Sequence, residues 1–266
     1  MEPFLKWAGG KRWLLSKADE LLPDLHKTKR YIEPFLGGGS MFFYVEPESA
    51  LLSDTNKDLI NTYEVIRDNW ADILAILEKY QRLHSQVFYY QIRSSRPKKP
   101  LQKAARFVYL NRTCWNGLYR VNSKGEFNVP IGTKSNVILH NDDFEQLSKV
   151  LKSVNFEVCD FEITINKAQK DDFLFIDPPY TVKHNLNGFV KYNENIFSWQ
   201  DQIRLKESIS KAIDRGAYVL VTNANHKSIE ELYHDCGQIF RLNRASIIAG
   251  KAEARGVYSE IVIKCW

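Results

Sequence analysis

The chain is short of the residues that would organise it from outside a hydrophobic core. Its 266 residues include only four cysteines, Cys114, Cys159, Cys236 and Cys265. No two of them form a CxxC pair, and the six histidines complete no metal spacing. A disulfide framework and a Cys/His metal centre are therefore set aside, and the thiols read as buried or half-buried groups of a reducing cytosol. No apolar run approaches the roughly 20 residues of a membrane span. The N-terminal "MEPFLKWAGGKRW" lacks the apolar segment of a secretory signal, so neither export nor a membrane partner is expected. A charge excess is small as well: 37 Lys and Arg stand against 32 Asp and Glu, a formal net charge of +5. That balance permits a polyanionic partner without demanding one.

What is present is a series of short apolar runs that each end in a polar group. "RYIEPF" (30–35), "ALLSD" (50–54), "FEVCD" (156–160), "FLFID" (173–177), "AYVLVTN" (217–223) and "SEIVIKCW" (259–266) read as buried strands. Helical patterns lie between them. "QDQIRLKESISKAIDRG" (200–216) carries apolar residues at 203, 205, 209, 212 and 213, with Gly216 where a helix C′ glycine belongs. The alternation predicts an α/β fold with a Rossmann-like, mostly parallel sheet covered on both faces. Ligands of such sheets sit beyond the carboxyl ends of the strands, which is where the acids converge.

The alternation breaks at 58–136. Residues 59–83 and 98–115 read as helices, and "NGLYRVNSKGEFNVPIGT" (116–133) as a polar, basic loop containing a hairpin at "NSKGEFNV". The expected organisation is a catalytic, cofactor-binding domain of 1–57 plus 137–266, with 58–136 as an inserted, largely helical subdomain.

Two motifs carry chemistry. The first is "EPFLGGGS" (33–40) after the first strand. Its glycines allow a sharp turn and close approach of a ligand to the backbone. Asp54 ends the next strand, 17 residues after Gly37, near the spacing at which an acid accepts hydrogen bonds from ribose hydroxyls. The dinucleotide pattern GxGxxG is absent, and "FLGGG" suits a nucleoside without a diphosphate. A ligand-free strand-to-helix connection is the alternative, and Asp54 weighs against it.

The second motif is "DPPY" (177–180), which ends the run "FLFI". Pro-Pro cannot continue a central strand. A turn residue at a strand terminus is the plain reading. The chemical reading is richer. An exocyclic amine on a nucleobase is a poor nucleophile because its lone pair is delocalised. The Asp177 carboxylate and the Pro178 carbonyl can accept its two hydrogens and aim the nitrogen at an electrophile. Tyr180 can stack on the base, and its π face tolerates a cation.

These stretches, together with "FLKWAGGKRWLL" (4–15), "SDTNKDLINTY" (53–63), "YLNRTCWNGLYRVNSKGEFNVPIG" (109–132) and "CDFE" (159–162), resemble the Dam-type, D12-class DNA adenine-N6 methyltransferases of the alpha group. The resemblance covers nearly the whole chain and keeps the motif order. It implies an S-adenosyl-L-methionine-dependent methyltransferase fold with a target-recognition insertion. It also implies methyl transfer to a flipped-out adenine in double-stranded DNA, within GATC. On the same resemblance Trp7, Lys11, Phe35, Gly37, Asp54, Asp160, Phe161 and Asp177 are expected at the cofactor, and Asp177, Pro178 and Tyr180 at the chemistry. Arg120 is expected on a guanine and Lys6 on DNA. Asn116, Tyr119 and Asn122 are expected as base or intercalation contacts from the loop, and Arg112 as a phosphate partner. No metal is implied. A monomer acting in the cytoplasm is expected.

Two departures stand out. "TNANHKS" (222–228) replaces the Asn-His-Asp common in the family, and His226 reads as a loop residue. "RASIIAGKAEARGVYSE" (244–260) reads as a basic loop over DNA or the base pocket. Transfer to cytosine N4, an RNA base or a protein glutamine amide remains open from the corner alone, as does a DNA-binding protein that performs no chemistry.

Overall fold

The computed structural model describes residues 1–122, 125–182, 197–245 and 257–266. Seven strands form one sheet: β1 (Tyr31–Glu33), β2 (Ala50–Asp54), β3 (Val154–Val158), β4 (Phe173–Ile176), β5 (Tyr218–Ala224), β6 (Gln238–Ala245) and β7 (Val257–Cys265). Their order is β3-β2-β1-β4-β5-β7-β6. β1 runs parallel to β2 and β4, and β4 parallel to β5. β7 is antiparallel to both β5 and β6. All four residues of β4 and the five central residues of β5 are buried, which is why both read as unbroken apolar runs. The expected mostly parallel α/β sheet is thus present, with β7 as its reversed strand and β6 as an edge strand added beyond it.

The helices are α1 (Ala18–Leu21), α2 (Ser40–Val45), α3 (Lys57–Leu83), α4 (Gln86–Ser94), α5 (Pro100–Thr113), α6 (Phe144–Leu151), α7 (Phe161–Ile165), α8 (Trp199–Asp214) and α9 (Lys227–Tyr233). The chain divides into two compact units. The first takes in Met1–Arg12, Leu36–Glu48 and Asp54–Val158. All of 58–136 lies within it. The second takes in Trp13–Phe35, Ser49–Ser53 and Cys159–Trp266.

In the first unit α3 buries Leu59, Ile60, Tyr63, Ile66, Ile73 and Leu77, an apolar stripe at helical spacing. Asn56 caps it by accepting from the amides of Asp58 and Leu59, and non-helical backbone at Asn69 kinks it. In the second unit Ile32, Leu174, Ile176, Leu205, Ile209, Val219, Val221, Ile261 and Ile263 belong to one core cluster. α8 starts with a capping box between Ser198 and Asp201. Gly216, with φ of +86°, follows the helix as the sequence led one to expect.

Strand order in the second unit defines where a ligand belongs. From β1 the chain goes to β2 on one side, while β4 lies on the other. The β1/β4 boundary is therefore a topological switch point, and ligands of open α/β sheets bind beyond the carboxyl ends at such a point. Glu33 ends β1 and Asp177 follows β4 there.

Candidate active site

In the first unit the glycine turn is a cradle shaped by a ring. Gly37 has φ of +48°, in the left-handed region. A Cβ at Gly37 would stand 2.6 Å from Trp7 Cδ1, so the indole occupies the space any other residue would need. The Gly37 amide donates to Asp54 Oδ2 at 3.2 Å, and the Asn56 amide donates to Asp54 Oδ1 at 2.9 Å. Burial raises the Asp54 carboxyl above its usual range, and these backbone amides pull it partly back down. The turn, the ring and the acid, separated in sequence, thus meet. Lys11 is buried as well, its Nζ donating to the Gly9 carbonyl at 2.6 Å.

The same unit carries the segment expected to recognise the target. Trp7 stacks on Tyr119 (centroids 5.6 Å apart, planes at 19°) and on Phe107 (6.3 Å, 20°). Tyr119 is therefore half-buried in an aromatic wall, and the exposed ring of the loop is Trp115, 51% accessible. Trp115 sits on a tight turn. Its amide donates to Pro130 O at 3.0 Å, Cys114 bridges Ile131, and Asn116 has φ of +56°. Asn116 and Arg120 are exposed, and Arg120 Nε is held by Asn128 Oδ1 at 3.0 Å.

Asn122 closes the turn. Its Oδ1 accepts from the Glu126 amide and its Nδ2 donates to the Glu126 carboxylate. The expected hairpin survives as the antiparallel bridge Val121–Phe127, while Ser123 and Lys124 at its tip lie outside the described residues. Lys6 is clamped through its backbone to Asn111, and its stem fills the space a Cβ on Gly117 would take. Burial, followed by the nearby charge of Lys134, lowers the Lys6 ammonium below its usual value.

Arg112 requires a correction. Expected on a phosphate, it is 1% exposed. Its guanidinium grips both oxygens of Asp142 and donates to the carbonyls of Phe4 and Val137. Those partners occupy the fork, so Arg112 knits the unit together and leaves phosphate contact to other residues.

In the second unit each acid near the switch point is paired with a hydroxyl. Tyr31 donates to Glu33 Oε2 at 2.8 Å, Thr222 to Asp177 Oδ1 at 2.7 Å, and Tyr180 to Glu260 Oε2 at 2.6 Å. Asp177 and Tyr180 are half-buried, while Pro178, Glu33 and Glu260 are buried. Burial first, then the charges of Asp177 and Glu260, drives the Tyr180 phenol well above its usual value. The Tyr31 phenol is raised in the same direction by burial, then by Glu33, with a smaller contribution from Asp177. The neighbourhood is rich in carboxyls, an environment that favours a cation or an amine becoming one. Glu260 and Thr222 escaped the sequence reading. They lie on strands far along the chain: the β4–β5 pairing sets Thr222 beside Asp177, and the β5–β7 pairing brings Glu260 up to them.

The expected cofactor residues of this unit separate into two kinds. Phe35 is half-exposed and stacks on Phe161 at 5.4 Å with planes at 25°. Phe161 itself is 4% exposed, with the Arg204 guanidinium 4.8 Å from its ring centre. Its ring is thus part of the core. Asp160 caps α7 through the Glu162 amide and pairs with Arg204 Nη2 at 2.7 Å. His226 caps α9 with its ring nitrogen, as befits a loop residue. Most of the basic stretch 244–260 lies outside the described residues.

Among the described residues no group of three or more His, Cys, Asp or Glu side chains could hold a metal, and no helix is long and apolar enough to cross a membrane. The sheet, the glycine turn with its acid and the acid-Pro-Pro-Tyr corner define the class: an S-adenosylmethionine-dependent methyltransferase acting on an amine. The sequence matches the D12 class N6 adenine-specific DNA methyltransferase family over residues 7–251, and the chain belongs to that family. It is 35% identical to the type II methyltransferase M1.LlaDCHI of Lactococcus lactis subsp. cremoris, over 99% of this chain and 95% of that protein. It is 32% identical to the DNA adenine methylase of Haemophilus influenzae, over 87% of this chain and 82% of that one. The DNA N-6-adenine-methyltransferase of Escherichia phage P1 is 35% identical over 97% of this chain, which matches 34% of the phage protein. The protein is a DNA adenine-N6 methyltransferase, and family membership implies S-adenosylmethionine as methyl donor and DNA as substrate.

Proposed function

We propose that the protein is a site-specific DNA-methyltransferase that modifies adenine N6 within GATC in duplex DNA, on a target base extruded from the helix. The observation that carries the chemistry is the Asp177 corner: a half-buried carboxylate, oriented by Thr222, next to a tyrosine ring anchored through its hydroxyl. Asp177 and the Pro178 carbonyl accept the two hydrogens of the amine, which leaves the nitrogen lone pair directed away from the ring plane. Tyr180 supports the base by its face at a cost of unstacking of a few kcal/mol to the duplex. The amine becomes acidic only as its bond to carbon forms, so Asp177 needs no unusual basicity.

The cofactor, when bound, supplies a sulfonium methyl group to an incoming nucleophile. The first unit's residues fit a nucleoside of that kind, because Gly37 against Trp7 admits a ligand to bare backbone and Asp54 is a buried acceptor suited to hydroxyl donors. Within this unit we assign Trp7, Lys11, Gly37 and Asp54 to it.

The recognition role falls to 58–136. Arg120, exposed and held by Asn128, suits bidentate contact with guanine O6 and N7. Trp115 and Asn116 stand out on a turn fixed by its neighbours, and Lys6 borders it. A monomer working in the cytoplasm is the simplest form. The test is methyl transfer from labelled cofactor to a GATC duplex and to duplexes altered at each base pair. Label in N6-methyladenine, confined to GATC, is the expected result. Transfer to adenine at another sequence would overturn the GATC assignment, and label on cytosine N4 would overturn the adenine one.

A further inference from the structure

The corner is braced by two strands that no sequence motif marks. β5 and β7 pair antiparallel with Thr222 opposite Val262 and Ala224 opposite Glu260. Residues 222 and 224 share a face, and directly opposed residues share a face too, so Thr222 and Glu260 are diagonal neighbours on one side of the sheet. From there Thr222 reaches Asp177 Oδ1 at 2.7 Å and Glu260 reaches the Tyr180 hydroxyl at 2.6 Å. Glu260 is 3% exposed and precedes the fully buried Ile261, Val262 and Ile263. A carboxylate in such surroundings is costly unless it is paired. A strand serving packing alone would be better served by an apolar residue.

We propose that Glu260 is a positioning residue for methyl transfer. Its charge-assisted hydrogen bond fixes where the far end of the Tyr180 ring lies against the extruded adenine, while Thr222 fixes the rotation of Asp177. This role rests on the reading that Asp177 and Tyr180 hold the target base. A tyrosine ring has two side-chain torsions; the bond at its far end pins the first directly and restrains the second through the preference of the phenol O–H for the ring plane. The phenol also donates its proton toward a carboxylate, which enriches the ring in electron density and improves its face for a cation.

The test compares wild type, Y180F, E260Q, E260L and the double variant Y180F/E260L in the full chain. Three quantities are read: kcat and KM for methyl transfer, thermal melting, and the fluorescence of a duplex carrying 2-aminopurine at the target adenine, measured without cofactor. Y180F and E260L should each lower kcat by about ten- to a hundredfold, the scale of a small misplacement, with KM for DNA little changed. Both should alter the 2-aminopurine signal of the bound duplex. The double variant should lose less than the two single losses combined, because both changes break the Tyr180–Glu260 bond; Y180F also removes the phenol's hydrogen bond with Thr222. E260Q keeps an acceptor oxygen and should recover most of kcat.

Wild-type kcat and fluorescence in folded E260L, or additive losses in the double variant, would overturn the proposal. If E260L does not fold, Y180F decides: it keeps the ring and loses only the hydroxyl, so an unchanged kcat and signal would overturn it equally. A wild-type protein that transfers no methyl to adenine would instead overturn the underlying reading, and the positioning role with it.

Discussion

On the proposed cofactor assignment, Asp54 is one buried acid that couples ligand and proton. Burial raises its carboxyl, so the empty protein favours the neutral form more than the unfolded chain does. The sign for stability follows: the Asp54 contribution is present below the unfolded value and is lost as pH rises through the folded one. Hydroxyl donors of a ribose favour the ionised form instead. Cofactor affinity is therefore expected to fall as pH drops through the raised Asp54 value, with proton release on binding. Calorimetry in buffers of different ionisation enthalpy should show this in the wild type and not in Asp54→Asn. At Arg120 the expected outcome concerns selectivity. Arg120→Ala should relax preference at one base pair by roughly 1–3 kcal/mol while leaving the cofactor site intact. Rates on duplexes altered one pair at a time will show it, and an unchanged profile would remove Arg120 from base reading.

Elements determine which residues could be recognised in advance. β4 and β5 are covered on both faces, so they announce themselves as continuous apolar runs, and the polar groups at their ends, Asp177 and Asn223, point to the rim. The glycine turn and Asp54 were legible because a turn of that shape has few chemical reasons. Glu260 was not, because its partner Tyr180 is 80 residues away and the contact depends on a strand pairing. Arg112 misled for the opposite reason. A basic residue beside a recognition motif looks like a surface charge, and its burial depends on Asp142, 30 residues on, and Phe4, 108 residues back. Breaking that pair should be expensive: Arg112→Met leaves Asp142 without its charged partner and is expected to cost on the order of 3–5 kcal/mol in chemical unfolding. The capping box of α8 sets a smaller scale, with Ser198→Ala expected to lose about 1 kcal/mol.

At the scale of the whole molecule, a net charge of +5 is modest, so long-range attraction to DNA depends on where the cations lie more than on their number. Duplex affinity is expected to fall linearly on logarithmic axes as salt rises, with a slope reporting the phosphates neutralised. The work proposed for the corner is separable from that attraction, and Asp177 is the residue at which the separation is tested. The most direct measurement is a single-turnover methyl-transfer assay on Asp177→Ala, run beside a duplex-binding isotherm on the same preparation. The transfer rate should fall by at least about 10²–10³ while duplex affinity stays near that of the wild type. A variant that methylates adenine at the wild-type rate would contradict the assignment of Asp177 as the acceptor that holds the amine.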